Sequence, residues 1–365
     1  MNNRKASLAF VIIVLLIIGC NLNKGIRDEN GVRQMVDTVG FAHLDWQVDS
    51  LVNRINRTYS NELSVINVDP NTAWRVAICP HDDYTYVSWQ YPALLKNLKA
   101  KTIIIFGVAH KARQLNVSDR IVFDSYSYWH GPYSNIKVSP FREELMSGIP
   151  EELYMVSDSL QKVEHSVESM LPFIQHYNRD VEIISILVPF MNLERMAEIS
   201  AHLSSVISRT MKKHQLEWGK DIALLITTDA VHYGDEDWGG KNMAPYGVDS
   251  LGYAKAVQYE HGIIDSCLVG EPSLEKVKRF VDFTVQPNSY KEYKWTWCGR
   301  YSIPLGLLTA LEMQNQLKSE PLQGQFVGYS TSIDHKPLPV DDLRMGKTAI
   351  ATIRHWVGYA SVGYR

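Results

Sequence analysis

The chain is 365 residues long, 45% hydrophobic and 21% charged, enough apolar material for one large globular domain or two smaller ones. A formal net charge of −3 with no basic stripe argues against a nucleic-acid partner. Four cysteines (Cys20, Cys79, Cys267 and Cys298) are too few for a disulfide scaffold, and their spacings fit no zinc ribbon.

At the start of the chain, Arg4 and Lys5 precede an apolar run from Leu8 to Ile18, closed by Gly19-Cys20. A basic start and an apolar stretch of this length read as a secretory signal, too short and wrongly flanked to span a bilayer. Gly19 directly before Cys20 resembles the bacterial lipobox, in which the cysteine becomes the lipidated first residue; an uncleaved N-terminal anchor is the alternative. Either way the expectation is an exported bacterial lipoprotein or anchored protein of the cell envelope, held to the membrane through Cys20 in the first case. Residues 1–19 would then be the signal, 20–40 a polar tether and 41–365 one folded domain. Loss of Arg4 and Lys5 takes the formal charge from −3 to −5.

Residues 43–62 suit a helix leading into the domain. Trp74–His81 and Lys101–His110 are short apolar runs that each close on a histidine, separated by a helix-like interval at 87–99. That is a strand–helix–strand unit, which pairs its strands in parallel. In an open parallel sheet the ligand site lies outside the carboxyl ends of the strands. His81 and His110 are therefore expected there, on neighbouring strands, close enough to share one metal ion.

Further on, 116–123 is strand-like, 126–133 an aromatic loop and 135–138 a short strand. Helices are expected at 140–147, 159–177 and 192–214, with strands at 181–188 and 222–227. The glycine-rich 236–250 reads as a loop, 252–269, 273–284 and 303–316 as helices, and 327–332 and 356–364 as strands. No composition break or internal repeat divides 41–365. The alternation predicts a single α/β domain with a central, largely parallel or mixed sheet flanked by helices.

Polar side chains reach strand ends or helix starts at His81, His110, the Asp229/His232 pair and Cys298. Cys79 and Cys267 sit in apolar patterns and read as core packing. Cys298 is followed by Gly299 and a helix starting near Ser302, which would hold the thiol by a positive helix end, with Arg300 close by. That setting lowers a thiol's pKa toward the thiolate that binds metals. A buried inert cysteine fits the same residues.

These residues fall into ordered motifs: Pro80-His81-x-x-Tyr84-x-Tyr86, Gly107-x-x-His110, Glu164-His165-Ser166-x-Glu168, Thr228-Asp229-x-x-His232-Tyr233-Gly234, Cys298-Gly299-Arg300 and Val357-Gly358-Tyr359-Ala360-Ser361. In this order they resemble the Memo-like family, also called AmmeMemoRadiSam system protein B, from about residue 74 to the C-terminus. The resemblance implies a fold similar to class III extradiol ring-cleaving dioxygenases. It makes His81, His110 and Cys298 the candidate metal ligands, His232 the acid–base residue and Asp229 its neighbour. Glu164 and His165 would support the ligands from behind. Where the family has Ala-Gly after the first histidine, this chain has Asp82-Asp83. These are either a solvated turn or carboxylates that join the metal's surroundings or repel anions. The loop Trp129–Tyr133 is also more aromatic than the family's turn and is expected to narrow the pocket mouth.

Two imidazoles and a thiolate leave a coordination position open and suit iron, copper or zinc; thiolate softness favours the last two. Three functions follow as expectations: a metal-dependent oxidoreductase related to the dioxygenases, a non-catalytic module holding a small molecule or peptide, or a copper-handling lipoprotein.

Overall fold

The structure, a computed structural model, describes residues 31–365. The apolar run Leu8–Ile18 and Cys20 lie outside the described residues. Twelve strands form one sheet: β1 (Val32–Arg33), β2 (Val76–Cys79), β3 (Thr102–Val108), β4 (Ile121–Phe123), β5 (Tyr128–Trp129), β6 (Ile136–Val138), β7 (Tyr154–Val156), β8 (Glu182–Val188), β9 (Ile222–Thr227), β10 (His232–Gly234), and, after a separate hairpin of β11 (Val285–Gln286) and β12 (Ser289–Tyr293), β13 (Gly324–Thr331) and β14 (His355–Tyr364). The order across the sheet is β1-β5-β6-β8-β3-β9-β2-β14-β10, with β13 paired to β14, and β4 to β7 and β8. Its centre, β6-β8-β3-β9-β2, is parallel, and β14 runs antiparallel to β2, β10 and β13. This is the expected single α/β domain with a mixed sheet.

The central strands β2, β3, β8 and β9 are mostly apolar on both sides because both faces are covered. Along β3, Ile103 and Ile105 face one core while Ile104 and Phe106 face the other. Ala77 and Cys79 of β2 divide from Val76 and Ile78 in the same way. The first face is covered by α1 (Asp45–Thr58), α2 (Ser60–Ser64), α3 (Tyr84–Val87), α4 (Gln90–Leu95) and, later in the chain, Leu171–Tyr177. The second carries the long helices Leu193–His214 and Ser302–Leu317, which pack on each other. Met196, Ile199, Leu203, Val206, Ile207 and Met211 repeat at helical spacing and are buried there. The Asn192 side chain caps the start of that helix by accepting from Arg195 N, and Lys212, Lys213 and His214 complement its C-terminal dipole. No described helix is long and apolar enough to cross a membrane.

Three expectations are corrected. First, β2 and β3 are not neighbours: β9 lies between them and pairs in parallel with both. Local pattern gives strands but not their order, and β9 arrives more than a hundred residues after β3.

Second, the helix expected over 159–177 is broken into two short helices around a turn. In chain order, α5 is Phe141–Gly148, α6 is Asp158–Lys162 and α7 is Leu171–Tyr177, with a single 3-10 turn at Glu168–Met170. Pro172 sits in the first turn of α7, where its missing N–H costs nothing but bars the helix from running through. Arg33 Nη2 donates to the carbonyls of Gln161 (3.2 Å) and Glu164 (2.5 Å), satisfying acceptors where α6 stops.

Third, residues 31–40 are not a free tether. β1 pairs in parallel with β5, Arg33 is buried and ion-paired with Glu168, and Glu168 also accepts from Val36 N and Asp37 N.

Candidate metal centre

His81 follows β2 directly through Pro80 and is fully buried. Its backbone N donates to Asp229 Oδ1 (2.9 Å), and its Nδ1 lies 3.2 Å from Thr227 Oγ1 at the end of β9. With Nδ1 so engaged, Nε2 is left facing Cys298 Sγ and Asp229 Oδ2, each at 3.5 Å. Burial, with His110, His165 and His232 nearby, pushes the ring's pKa well below the usual histidine range. A neutral imidazole is the form that ligates metals.

His110 stands beyond the end of β3. Its Nδ1 lies 2.9 Å from Glu164 Oε2, while Glu164 Oε1 accepts from Lys111 N at 2.6 Å. One buried carboxylate thus holds both the ring and its backbone turn, leaving Nε2 for a ligand. Gly107 makes this approach possible: a Cβ there would come within 2.7 Å of Val167 and 2.8 Å of Ser166, in the turn that carries Glu164.

Cys298 lies in the loop before the helix Ser302–Leu317. Its Sγ accepts from Asp229 N at 3.0 Å. Gly299 lets this loop lie against Thr228, whose Oγ1 would stand 2.1 Å from any Cβ at that position. The expectation of a lowered thiol pKa is overturned. Burial, reinforced by the Asp229 carboxylate, pushes it well above the ordinary value. Nor does Arg300 assist the thiol. Its guanidinium stacks on the Tyr293 ring, 3.3 Å from Cζ to centroid, and donates to Lys291 O.

One ligand atom from each of His81, His110 and Cys298 lies within 4.8 Å of the others. Two further sets meet the same spacing, His110/Glu164/His165 and Asp229/His232/Cys298. The structure therefore brings the three candidate ligands His81, His110 and Cys298 together. His165 stacks on His110 with centroids 4.8 Å apart, and burial followed by His110 brings its pKa down to about 3. His232, at the start of β10, has a fully covered Nε2 without a hydrogen-bond partner, 3.9 Å from Asp229 Oδ2. Burial, then His110, lowers its pKa to about 3. Asp229 is pushed up to about 7, mainly by burial.

Asp82 and Asp83 do not form a solvated turn. Asp82 Oδ2 accepts from Tyr359 OH (2.6 Å), and the buried Asp83 accepts from Thr348 N (2.6 Å). Burial pushes both carboxyls upward, joined by the Asp229 charge at Asp82 and by the Asp82 charge at Asp83. Their partners come from the far end of the chain, which local sequence does not reveal. The Trp129–Tyr133 loop does not narrow the mouth either. Trp129 is buried under Arg33, donating to Asp124, and Tyr133 packs with His176. A cleft of about 350 Å³ opens beside His110 and Cys298 instead, walled by Phe190, Trp238 and Tyr293. Neither Thr227 as support for His81 nor Trp238 against His232 carries a local sequence signal.

Fold and site together define an α/β protein with a nitrogen- and sulfur-donor cluster at the carboxyl ends of its parallel strands. A family model described as "Memo-like protein" matches residues 47–341, and the chain belongs to the Memo-like family. It is similar to MEMO1 family proteins of Pyrococcus furiosus (25% identical, covering 70% of this chain and 80% of that one) and Thermococcus kodakarensis (25%, covering 79% and 86%). A Methanosarcina barkeri MEMO1 family protein is 29% identical over 43% of this chain. The chain spans about half the length of that relative, 54%.

Proposed function

We propose that this protein binds one soft or redox-active metal ion through His81, His110 and Cys298 and acts as a metal-dependent oxidoreductase on a small molecule. The observation that carries the reading is the pairing of each histidine's Nδ1 with a support, Thr227 or Glu164, which leaves its Nε2 uncommitted around a buried sulfur. Copper, zinc and iron all suit that donor set. Bound there, the ion would supply Lewis acidity and, for copper or iron, one-electron chemistry.

The chain's own residues do the rest. Asp229 fixes the site by accepting from His81 N and donating its own N–H to Cys298 Sγ. His232, neutral and with its covered Nε2 unpartnered 3.9 Å from Asp229 Oδ2, is the candidate proton-handling group beside the cluster. Phe190 and Trp238 add apolar wall to the cleft, and Trp238 packs against the His232 ring. The kinship in fold with ring-cleaving dioxygenases is part of this proposal, and so is a lipid anchor at Cys20, which rests on the sequence Ile17-Ile18-Gly19-Cys20. Intact-mass analysis of membrane-extracted protein should find residues 1–19 missing and an acyl adduct; an unmodified full-length chain contradicts the anchor.

The lipobox-like start together with the sulfur donor favours a second reading, a copper-handling lipoprotein. Elemental analysis of protein purified without added metal, followed by oxygen-uptake measurements on the loaded protein, separates the two. Metal with oxygen consumption that His232→Ala abolishes supports the oxidoreductase. Metal without any turnover supports the handling role, and no metal at all contradicts both.

A further inference from the structure

The cleft beside the donor cluster carries more cationic charge than its own side chains neutralise. Arg113, Lys241, Lys291 and Arg300 line it against a single carboxylate, Glu292. Glu292 is already taken, lying 3.3 Å from Arg113 Nη2 and 3.9 Å from Lys241 Nζ at the exposed rim. Arg300 is different from the rim cations. It is 6% exposed, only its Nη2 has a partner (Lys291 O, 3.2 Å), and its Nε and Nη1 are buried with no hydrogen-bond partner. Tyr293 and Tyr301 cover its faces, at 3.3 and 4.7 Å. Cation–π contact offsets part of the cost of burying the charge but satisfies no N–H. A buried guanidinium with unused donors in the wall of a cationic cleft can give a charge-assisted hydrogen bond to an oxygen of a carboxylate or phosphate group.

We propose that this cleft is an anion subsite, taking a small molecule whose carboxylate or phosphate-type group pairs with Arg300. The molecule's body lies among Phe190, Trp238 and Tyr293, with its other end toward His110 and Cys298. A volume of about 350 Å³ suits a compact ligand of this kind rather than a folded partner. The positive rim steers it in. This names the substrate class of the proposed oxidoreductase and rests on that reading only for what happens at the far end.

The test is equilibrium titration by calorimetry of chelator-treated full chain with benzoate, phenyl phosphate and neutral benzamide. Both anions, or one of them, should bind at least about tenfold more tightly than benzamide, and the tighter of the two identifies the head group. Arg300→Gln should weaken the anion by at least about tenfold while leaving benzamide unchanged, and Arg300→Lys should restore part of the loss because it returns the charge without the planar set of donors. Should Arg300→Gln not fold, the exposed pair Lys241→Ala/Lys291→Ala serves instead. It should weaken anion binding about two- to fivefold and flatten its salt dependence. Equal affinity for benzamide and the anions, no binding of any probe, or indifference of anion binding to the Arg300 or rim variants overturns the proposal. Because these titrations are metal-free, their failure leaves the metal reading standing, and a protein that holds no metal can still pass them.

Discussion

Glu164 ties a metal ligand to the fold by itself. Its two oxygens hold the His110 ring and the Lys111 backbone at once, and the side chain is buried. Replacing it with Ala frees the ring to rotate and removes the acceptor that fixes its orientation. Metal affinity, measured by competition against a chelator, should fall about 10- to 100-fold with the far-UV spectrum unchanged. Unchanged affinity would mean His110 does not depend on this carboxylate, or is not a ligand.

Glu260 illustrates a residue with no part in the donor cluster. Its Oε1 accepts from Trp295 Nε1 and Trp297 Nε1, both at 2.6 Å, and its Oε2 from Val231 N. Even so, burial raises its pKa to about 7. A carboxyl whose folded pKa exceeds its unfolded one holds a proton that the unfolded chain gives up. Its contribution is complete below the ordinary glutamate value and is lost as pH rises through about 7. Metal-free protein should therefore lose stability between pH 5 and 8, by on the order of 2–3 kcal/mol from this group. Urea denaturation across that range checks it, and Glu260→Gln should flatten the slope whatever its absolute stability.

At the level of elements, β1 and the turn after α6 form one unit. Arg33 of β1 is paired with Glu168 and stacked on Trp129 of β5, and the same guanidinium caps the carbonyls of Gln161 and Glu164. Glu168→Ala would leave that cation buried without its counter-ion, costing about 3–5 kcal/mol in chemical denaturation; a loss under about 1 kcal/mol would contradict the pairing. The sequence shows why this unit is hard to foresee. A two-residue strand has no period, and the apolar pattern across 159–177 is continuous although the helix is not. β3, β8 and β9 were legible because both of their faces are buried and most of their positions are apolar. The hairpin β11–β12, which walls the cleft, is polar and half exposed, so nothing in its pattern marks it. Likewise the rule that a helix start acidifies a thiol is local. At Cys298 it is outweighed by burial and by Asp229, which reaches the sulfur from another strand end.

For the whole molecule, the donor cluster joins three distant parts of the chain: the end of β2, the end of β3 and the loop before the helix Ser302–Leu317. An ion held there would act as a cross-link and stabilise the native state in proportion to its affinity. The histidines were legible as strand ends, and the convergence of His81 with Cys298 depends on β9 lying beside β2, with Thr227 at its end and Asp229 just beyond it meeting both residues. The sulfur is the donor that sets this centre apart, and it can be observed directly. Metal-free protein loaded with cobalt(II) should show an intense thiolate-to-metal charge-transfer band in the near ultraviolet at one ion per chain, absent in Cys298→Ser and retained in His232→Ala. An identical spectrum in Cys298→Ser, or no cobalt bound by the wild type, would contradict the account.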